Sequence, residues 1–349
     1  MTTPFIPIAF PNKTSLPDGF TVLGADIGGT KTDVALFKIE KNNFNIIKEK
    51  KYHSKDWTSI ADIIQDFGVT PKPNRLSISV AGPVNDGESK LTNLNWVVNI
   101  DELAEKLKIE QIYLLNDLEA NAYGMAALEE KDFKTVYEGK GPSKNNAAII
   151  SPGTGLGEAG LFFNGESYHP FATEGGHKDF GPHNEMEVSL YRFLQEKYGH
   201  VSWERVVSGM GIYTIYQFLR EVMGREEPLW LKEKLASGDP AATISMAADK
   251  SCPICLETLE LFVTYLAEEA ANLALQLNAK GGIFIGGGIV PKIWNEHFEE
   301  IFLASFFKVG RLKYLMEQVP VKIILNPKTA MLGAAYYGAY GAVTKTVKH

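Results

Sequence analysis

The sequence predicts an α/β protein built from two similar domains, and three observations lead to this prediction. Its 349 residues are enough for roughly two domains with ample hydrophobic core. Buried-strand patterns alternate along the chain with amphipathic helix patterns. Two stretches, TVLGADIGGTKTDVALF (21–37) and AAIISPGTGLGEAGLFF (147–163), share one layout of strand, glycine-rich turn and second strand. We therefore expect two similar domains that face each other across a cleft, with one glycine turn lining each wall.

The first part of the chain is expected to form an extended arm and a small α/β domain. Residues 1–20 show no periodicity and contain four prolines, namely Pro4, Pro7, Pro11 and Pro17. The stretch NIDELAEKLKI has a helical pattern that is expected to open at Asp101. The other elements predicted here are a helix at 58–68 and strands at 20–26, 32–39, 44–53, 75–81 and 109–115.

The rest of the chain is expected to form a larger domain rich in helices. Strands are predicted on both sides of the second glycine turn within 146–163, and again at 281–286 and 320–325. Helices are predicted at 185–198, 210–223, 229–236, 240–249, 256–279 and 291–305, with AMLGAAYYGAYGAV as a closing helix of small residues. The expected domains are 21–127, completed by a C-terminal helix at 328–349, and 128–327.

Composition narrows the class of protein. The net charge is −7 and Lys and Arg form no cluster, which argues against a nucleic-acid-binding surface. The first residues lack the basic region and apolar stretch of a signal peptide, and no run approaches the roughly 18 apolar residues of a membrane-spanning helix. We therefore expect a cytoplasmic protein that does not contact membranes.

The two cysteines, Cys252 and Cys255, form a CxxC motif. A zinc site would need a second CxxC or a closely spaced pair of histidines, and the sequence has neither. Because the motif lies at the start of a long helical pattern, reduced structural thiols are the favoured interpretation over redox or metal chemistry.

The two glycine turns nearly match known phosphate-binding motifs. Gly24 and Gly29 have the P-loop spacing, but Thr30 stands where that motif has lysine, whereas the second turn satisfies the dinucleotide pattern GxGxxG. Both motifs require a helix after the turn, and strand patterns follow both turns here. We therefore reject both motifs and expect two strand–turn–strand hairpins.

Glycine turns can bind a polyphosphate without either motif, because they let backbone N–H groups approach and point into it. A third glycine run, FIGGGI at 284–289, strengthens this interpretation over a set of ordinary tight turns. Thr30 and Thr154 add hydroxyl donors to the first two turns, and Asp26 is suited to hold a hydrated Mg²⁺.

The stretch LLNDLEANAYG (114–124) places Asp117 where a buried strand ends and a helix begins. Asp in this position is often a helix N-cap, which accepts a hydrogen bond from a backbone N–H of the first turn. Ligands of α/β proteins also collect beyond the carboxyl ends of strands, where a carboxylate can act as an acid or base. The stretch alone does not decide between these two roles.

A polar loop, ATEGGHKDFGPH (172–183), forms the other concentration of functional side chains. Its residues Glu174, His177, Asp179 and His183 are possible metal ligands, but Gly175 and Gly176 disfavour the helix that the Glu-x-x-His spacing would need, and no cysteine assists. Carboxylate and imidazole groups also match the adjacent hydroxyls of a sugar. A polyol site is therefore favoured over a metal site and over purely structural hydrogen bonding.

Taken together and in order, these stretches resemble the bacterial glucokinase family, within the actin/Hsp70/hexokinase-like superfamily of sugar kinases. The similarity covers nearly the whole chain from about residue 20. The matching stretches are ADIGGT, SVAGPV, TNLNW, LLNDLEA, PGTGLGEA, EGGHKDFGP, HVSWERVVSG, GGIFIGGGIVPK and LGAAYYG. The resemblance implies two actin-like (ribonuclease-H-like) domains of mixed sheet plus helices that face a central cleft.

The resemblance also implies roles for individual residues. Asp117 matches the catalytic base of the family, and the sugar ligands are Asn93, Asn116, Asp117, Glu174, His177 and Glu204. The phosphate loops correspond to Ala25, Asp26, Ile27, Gly28, Gly29, Thr30 and Lys31, to Gly153, Thr154 and Gly155, and to Gly287 and Gly288. The implied cofactors are ATP and Mg²⁺, with Asp26 as a ligand of the hydrated ion.

Two departures from the family pattern bear on sugar specificity. The first turn continues with KTD, where the family usually has Asn-Ala-Arg, and this is closer to the related repressor/kinase (ROK) group. The cysteine-rich zinc motif that follows the EGGH loop in that group is absent here. The N-terminal arm is an addition to both.

The expected function is ATP-dependent phosphorylation of glucose to glucose 6-phosphate, and three alternatives remain. The first alternative is a kinase with broader specificity for hexoses or N-acetylhexosamines. The second is a sugar-sensing regulator without catalysis, and the third is an acetate-kinase-like enzyme. The first 20 residues are too short and too rich in proline for a helix-turn-helix, which disfavours a regulator. An acetate-kinase-like enzyme would need Arg beside its anionic substrate rather than Glu174 and Glu204. The expected partners are glucose and ATP, and a homodimer is left open.

Overall fold

The structure is a computed structural model that describes residues 6–10, 15–40, 43–91, 93–141, 144–248 and 252–341. Some of the sequence predictions fall outside these ranges. They concern Pro4 and Pro11 of the arm, Thr92 of the TNLNW stretch, the last residue of the helix predicted at 240–249, and the closing helix beyond residue 341.

Strands and helices alternate along the chain, as the sequence predicts. The strands are β1 (Thr21–Ile27), β2 (Lys31–Glu40), β3 (Asn43–His53), β4 (Arg75–Val80), β5 (Glu88–Leu91), β6 (Trp96–Asn99), β7 (Ile112–Asn116), β8 (Phe133–Tyr137), β9 (Ala147–Pro152), β10 (Leu156–Phe163), β11 (Tyr168–Thr173), β12 (Gly282–Ile285) and β13 (Val321–Ile324). The α-helices are α1 (Ile60–Phe67), α2 (Ile100–Leu107), α3 (Asp117–Gly124), α4 (Glu185–Tyr198), α5 (Gly209–Glu221), α6 (Leu229–Ser237), α7 (Pro240–Ala248), α8 (Pro253–Leu277), α9 (Val290–Ile293), α10 (Glu296–Phe306), α11 (Lys313–Met316) and α12 (Thr329–Tyr340). Within the described ranges, none of these helices combines the length and the apolar character needed to span a membrane.

The chain divides into two compact units. Unit 1 comprises Met1–Phe133, Leu161–Ala172 and Asn326–His349, and unit 2 comprises Lys134–Gly160 and Thr173–Leu325. The chain therefore returns to unit 1 at its C-terminal end, through α12. The domain boundaries expected from the sequence, 21–127 and 128–327, stay a prediction.

Unit 1 is organised by a five-stranded mixed sheet in the order β3-β2-β1-β4-β7. β1 pairs with β2 in antiparallel orientation, whereas β1, β4 and β7 run parallel to one another. Alternate residues of β1 face opposite cores, because successive side chains of a strand point to opposite faces. Leu23, Ala25 and Ile27 pack with α1 and α2, and Val22 packs with α12. The sheet is therefore covered by helices on both faces.

Unit 2 is organised around a six-stranded sheet in the order β11-β10-β9-β12-β13-β8, of which residues 161–172 are grouped with unit 1. β9, β12 and β13 are parallel neighbours. Its core is centred on the long helix α8, where Phe262 and Leu266 are fully buried. In the first sheet, β1 has β2 and β3 on one side and the parallel strands β4 and β7 on the other. In the second sheet, β9 has β10 and β11 on one side and the parallel strands β12 and β13 on the other. The two sheets therefore share this strand order, as the repeated strand–turn–strand layout predicts.

Several predicted elements need correction. α2 opens at Asn99, whose side chain accepts hydrogen bonds from the backbone N–H groups of Asp101 and Glu102, so Asp101 lies inside the helix rather than at its cap. The helix predicted at 291–305 is two helices, because Asn295 caps a new helix by accepting from Phe298 N. The sequence prediction also omitted β5, β6, β8 and β11.

Both cysteines are free and buried, at the start of α8. Pro253 follows Cys252 and is the first residue of the helix, a position that needs no backbone N–H donor. Burial and the neighbouring Cys252 raise the pKa of the Cys255 thiol. A thiol held in its neutral form is a poor nucleophile, in agreement with structural thiols.

The N-terminal arm contributes to the core of unit 1. Ile8 is buried and forms a β-bridge with Tyr168. The Tyr336 hydroxyl of α12 donates to the backbone oxygens of Ile8 and Ala9, at 2.8 and 3.0 Å. Phe10 stacks on Tyr123 of α3 with ring centroids 6.0 Å apart. The described part of the arm is therefore a strap that joins α3, α12 and the β10–β11 hairpin.

Helices α3 and α12 approach each other at glycines. A Cβ atom on Gly333 of α12 would overlap the Ala120 carbonyl oxygen of α3, and a Cβ on Gly124 would overlap the Thr329 carbonyl oxygen. The two helices can pack this closely only because both positions lack a side chain. This packing fixes α3, the helix whose first residue is Asp117.

We expect Gly333→Ala to destabilise unit 1 by about 1–3 kcal/mol, because the added methyl must push two packed helices apart. The measurement is thermal unfolding followed by circular dichroism. Gly181→Ala is the matched control, since a Cβ there meets no atom within 4 Å. Equal melting temperatures for the two variants would contradict the close packing of α3 on α12.

Candidate active site

Asp117 is the first residue of α3, and Asn116 is its N-cap. The Asn116 side-chain oxygen accepts from Leu118 N at 2.9 Å and from Glu119 N at 3.3 Å, while its amide donates to the Gly82 carbonyl oxygen at 3.1 Å. Asp117 is therefore not the N-cap, and the capping interpretation of its carboxylate is wrong. One Asp117 oxygen accepts from Leu118 N at 2.9 Å.

The first glycine turn connects β1 to β2, so it is the strand–turn–strand hairpin that the sequence predicts. Gly28 N donates to the Lys31 carbonyl oxygen at 2.9 Å and closes the turn. Ser54, the residue after β3, supports the turn: its hydroxyl donates to the Gly28 carbonyl oxygen and its N–H to the Thr30 carbonyl oxygen. Asn93 lies beside the turn, since a Cβ on Gly29 would sit 3.4 Å from that of Asn93.

Asp26 lies two residues before this turn. One of its oxygens accepts from the Ser79 hydroxyl of β4 at 2.8 Å. Burial, together with the negative charge of Asp33, raises the pKa of Asp26 to about 6. A carboxylate that is short of positive charge gains from a cation, so Asp26 fits a role as an oxygen ligand of hydrated Mg²⁺.

The parallel register of unit 1 brings these groups to one edge of its sheet. Asp26 is level with Ser79, and Ser79 is level with Leu115, so the next residues lead to the glycine turn on β1 and to Asn116 on β7. Carboxyl ends of parallel strands are where α/β proteins bind ligands. Asp26, the turn with Gly28, Gly29, Thr30 and Lys31, Asn93, Asn116 and Asp117 are thus collected at the same edge.

The second and third glycine turns are neighbours in unit 2. The second joins β9 to β10, and the third follows β12, the parallel neighbour of β9. Gly287 has φ +81°, and a Cβ there would overlap the Pro152 carbonyl oxygen, so only glycine fits. Gly209 N, at the start of α5, donates to the Gly153 carbonyl oxygen at 2.8 Å.

A cavity of about 690 Å³ opens beside these turns. Gly153, Thr154 and Gly288 line it, together with side chains that the sequence did not point to: Met210 and Tyr213 of α5, Ser245 and Met246 of α7, and Lys292 of α9. The size and the mixed apolar and polar lining are those of a pocket for a small-molecule cofactor. The sequence pointed to the glycines at the strand ends. It did not point to the lining residues of α5, α7 and α9, because they come from separate segments that contain no motif.

In the polar loop, Glu174 directly precedes a short 3₁₀ turn, Gly175–His177, and His177 is the last residue of that turn. Both side chains are exposed, and within the described part of the chain neither has a hydrogen-bond partner. Both are therefore available to a ligand.

The four possible metal ligands of this loop do not converge. Asp179 pairs with His200, with 2.9 Å between Oδ1 and Nε2, and His183 Nδ1 lies 3.2 Å from Glu268 Oε1. Glu187 also lies near His183, but its two oxygens accept from His183 N and from the Asn184 amide at the start of α4. Glu187 thus serves to cap that helix.

Glu204 belongs to a second 3₁₀ turn, Trp203–Arg205. Its Oε2 accepts from the backbone N–H of Leu156, the first residue of β10, at 3.0 Å. Trp203 N donates to the Lys178 carbonyl oxygen at 3.0 Å. The Glu204 turn therefore joins the polar loop to the second glycine turn, a link that the sequence did not reveal.

Comparison with known proteins shows the family of the chain. The sequence model of the Glucokinase family matches residues 23–340. A glucokinase of Nostoc punctiforme is 40% identical over 336 residues, which cover 91% of this chain and 98% of that protein.

Two solved structures are similar over most of their length. A glucokinase from an Antarctic psychrotroph has a TM-score of 0.77 and 31% identity, covering 93% of this chain and 99% of that one. A Balamuthia mandrillaris glucokinase in complex with glucose has a TM-score of 0.75 and 25% identity, covering 92% and 93%. The chain, an enzyme with the actin-like fold expected from its sequence, belongs to the glucokinase family.

Proposed function

We propose that Asp117 is the general base in the transfer of the γ-phosphoryl group of ATP to the 6-hydroxyl of glucose. The observation that carries the proposal is the position of Asp117, the first residue of α3, directly after β7 at the carboxyl edge of the unit 1 sheet. The N-cap of this helix is Asn116, not Asp117. The family to which the chain belongs supports the reaction.

The chemistry asks little of the base. Phosphoryl transfer passes through a loose transition state, so the protein mainly positions the reactants and stabilises charge. Asp117 accepts the proton of the sugar hydroxyl as the new P–O bond forms and the bond to ADP breaks. A general base of this kind contributes typically about 10²–10⁴-fold to the rate.

The nucleotide is assigned to the glycine turns and the unit 2 cavity. The cavity takes the nucleoside, and the backbone N–H groups at Thr154, Gly155, Gly287 and Gly288 hold phosphates. Gly153 closes the second turn instead, because its N–H donates to the Gly155 carbonyl oxygen at 2.8 Å. Thr30 and Lys31 are exposed on the first turn and supply a hydroxyl and a positive charge. Asp26 would hold a hydrated Mg²⁺, and such an ion would supply positive charge to the phosphates.

The sugar is assigned to Glu174, His177 and Glu204, with Asn93 and Asn116 as further ligands. The exposed carboxylate and imidazole of the polar loop suit a ring of adjacent hydroxyls, each of which both donates and accepts. Asn116 retains one amide N–H beyond its bond to Gly82, and this proton is free to meet a sugar oxygen.

Sugar specificity is the open part of the function. A coupled assay of ADP release over glucose, mannose, glucosamine and N-acetylglucosamine distinguishes a glucokinase from a broader hexose kinase. Binding of glucose without release of ADP would favour a non-catalytic regulator. We place the enzyme in the cytoplasm, where free thiols such as Cys252 stay reduced, and a homodimer remains a prediction.

For Asp117→Asn we expect kcat to fall about 10²–10⁴-fold, because Asn hydrogen-bonds the hydroxyl but cannot take its proton. Sugar binding and the melting temperature should change little, since the N-cap is Asn116. Asp101→Asn is the matched control, an exposed Asp in the first turn of α2, and should leave kcat unchanged. A folded Asp117→Asn enzyme with near-original turnover would refute the assignment.

For Glu174→Gln we expect the KM for glucose to rise with little change in the KM for ATP. One sugar hydroxyl loses its charged acceptor, at a cost of about 1–3 kcal/mol. Glu166→Gln, at an exposed position, is the control. If both KM values rose in parallel, Glu174 would not be specific to the sugar.

Two substitutions of Glu204 should separate its role in sugar binding from its support of the second glycine turn. Glu204→Gln keeps an acceptor for Leu156 N, so it should raise mainly the KM for glucose. Glu204→Ala also frees the start of β10 beside the second glycine turn, so the KM for ATP should rise as well. Steady-state kinetics with each substrate varied measures both, and indistinguishable variants would contradict the link between the two sites.

A further inference from the structure

Three buried or half-buried charges lie directly behind the polar loop. Lys178 follows His177, and its ammonium group lies 2.6 Å from Oε1 of Glu269 on α8 and 3.5 Å from Oε2 of Glu158 on β10. The side chains of Glu158 and Glu269 are completely buried. We call Glu158, Lys178 and Glu269 the buried trio, and nothing in the proposed reaction uses it.

The polar loop rests on this trio. A Cβ on Gly175 would overlap Oε2 of Glu158, and a Cβ on Gly176 would overlap the Leu156 carbonyl oxygen, so the loop backbone contacts β10 directly. The Thr173 hydroxyl donates to the Glu158 carbonyl oxygen at 2.9 Å and accepts from Gly175 N at 3.2 Å. The position of Glu174 and His177 therefore depends on where Glu158 and Lys178 hold the loop.

The same lysine connects to the second sugar-facing segment. Its carbonyl oxygen accepts from Trp203 N, next to Glu204, and Glu204 in turn accepts from Leu156 N of β10. The side chain of Lys178 also reaches Gln276 Oε1 at 3.2 Å. Lys178 thus joins the three sugar-facing carboxylate and imidazole groups to the rigid wall formed by β10 and α8.

The charges of the trio do not balance when both carboxyl groups are ionised. Two carboxylates and one ammonium leave a net charge of −1 in a site without water-exposed carboxylate oxygens, which is costly. Asn272 is a further partner of Glu269, at 3.1 Å, but it is neutral. Among the described residues, neither Glu158 oxygen accepts a hydrogen bond from a protein N–H or O–H group. A proton on one of the two carboxyl groups removes the imbalance.

We propose that Lys178 is a positioning residue that, clamped between Glu158 and Glu269, fixes the polar loop for sugar binding, and that the trio works with one carboxyl group protonated. The proposal rests on the assignment of Glu174, His177 and Glu204 to the sugar. The trio touches no substrate, so its effect reaches the sugar through the loop.

Electrostatics supports the protonated state. Burial and the charge of Glu269 raise the pKa of Glu158 to about 8, against the lowering effect of Lys178. The charged groups facing Glu158 are Glu269 from α8 and Lys178 from the loop. Between the ordinary pKa of a glutamate and about 8, the folded chain keeps this proton while the unfolded chain loses it, so this group lowers stability as the pH rises. Above about pH 8 the trio carries an uncompensated negative charge beneath the loop.

The first experiment compares Lys178→Met with Lys178→Arg. Loss of the ammonium should raise the KM for glucose at least about tenfold and change the KM for ATP less than about twofold, because the loop shifts while the nucleotide turns stay. Lys178→Arg should restore most of the affinity. Lys140→Met is the control, since the ammonium of Lys140 forms only an exposed ion pair with Glu317. An unchanged KM for glucose, or equal increases for both substrates, would overturn the proposal.

The second experiment does not depend on the folding of the Lys178 variants. In the wild-type enzyme, the KM for glucose should rise between about pH 7 and about pH 9.5 as the trio loses its proton. Glu158→Gln cannot ionise, so its KM for glucose should be flat over the same range. If the KM for glucose of Glu158→Gln rose with pH as much as that of the wild type, the part of the proposal that places a proton in the trio would be overturned. If the wild-type chain bound no sugar at all, the proposed function would fail, whereas sugar phosphorylation with these variants behaving as wild type would refute only the role of the trio.

Discussion

The parallel register of the central strands is the constraint on which the rest of the structure depends. In unit 1 it aligns the ends of β1, β4 and β7, and in unit 2 it aligns the ends of β9 and β12. Polar and glycine residues that are far apart in sequence thereby reach one edge of each sheet. A slip of one residue would turn each of these side chains to the opposite face. The register is in turn held by cores on both faces of the unit 1 sheet.

The candidate site is supported by side chains that hydrogen-bond to the backbone around it. Asn116 caps α3, Ser54 closes on the first glycine turn, and Glu204 accepts from the start of β10. Each of these bonds satisfies a backbone group that would otherwise lose hydrogen bonding to water without compensation. The same contacts hold ligand-facing atoms in fixed directions. The same hydrogen bonds therefore satisfy the backbone groups and fix the positions of the site residues.

The sequence predicted the elements with strong periodicity and the glycine turns, because each depends on neighbouring residues. It did not distinguish Asn116 from Asp117 as the helix cap, since both residue types cap helices equally well. It missed β11, whose Pro170 reads against a strand, and it merged two helices across Asn295. The cavity lining and the trio of Glu158, Lys178 and Glu269 could not be predicted, since their members come from distant segments that only the folded chain brings together.

The packing of α12 on α3 bears on the order in which the protein is made. The core of unit 1 begins with β1, yet the helix that covers α3 starts only at Thr329. Nearly two hundred residues separate it from the end of the first segment of unit 1 at Phe133. At a synthesis rate of about 5–20 residues per second, α3 stays uncovered for on the order of ten to forty seconds. During that interval the nascent chain exposes an apolar face, and Asp117 acquires its fixed place only after α12 has been made.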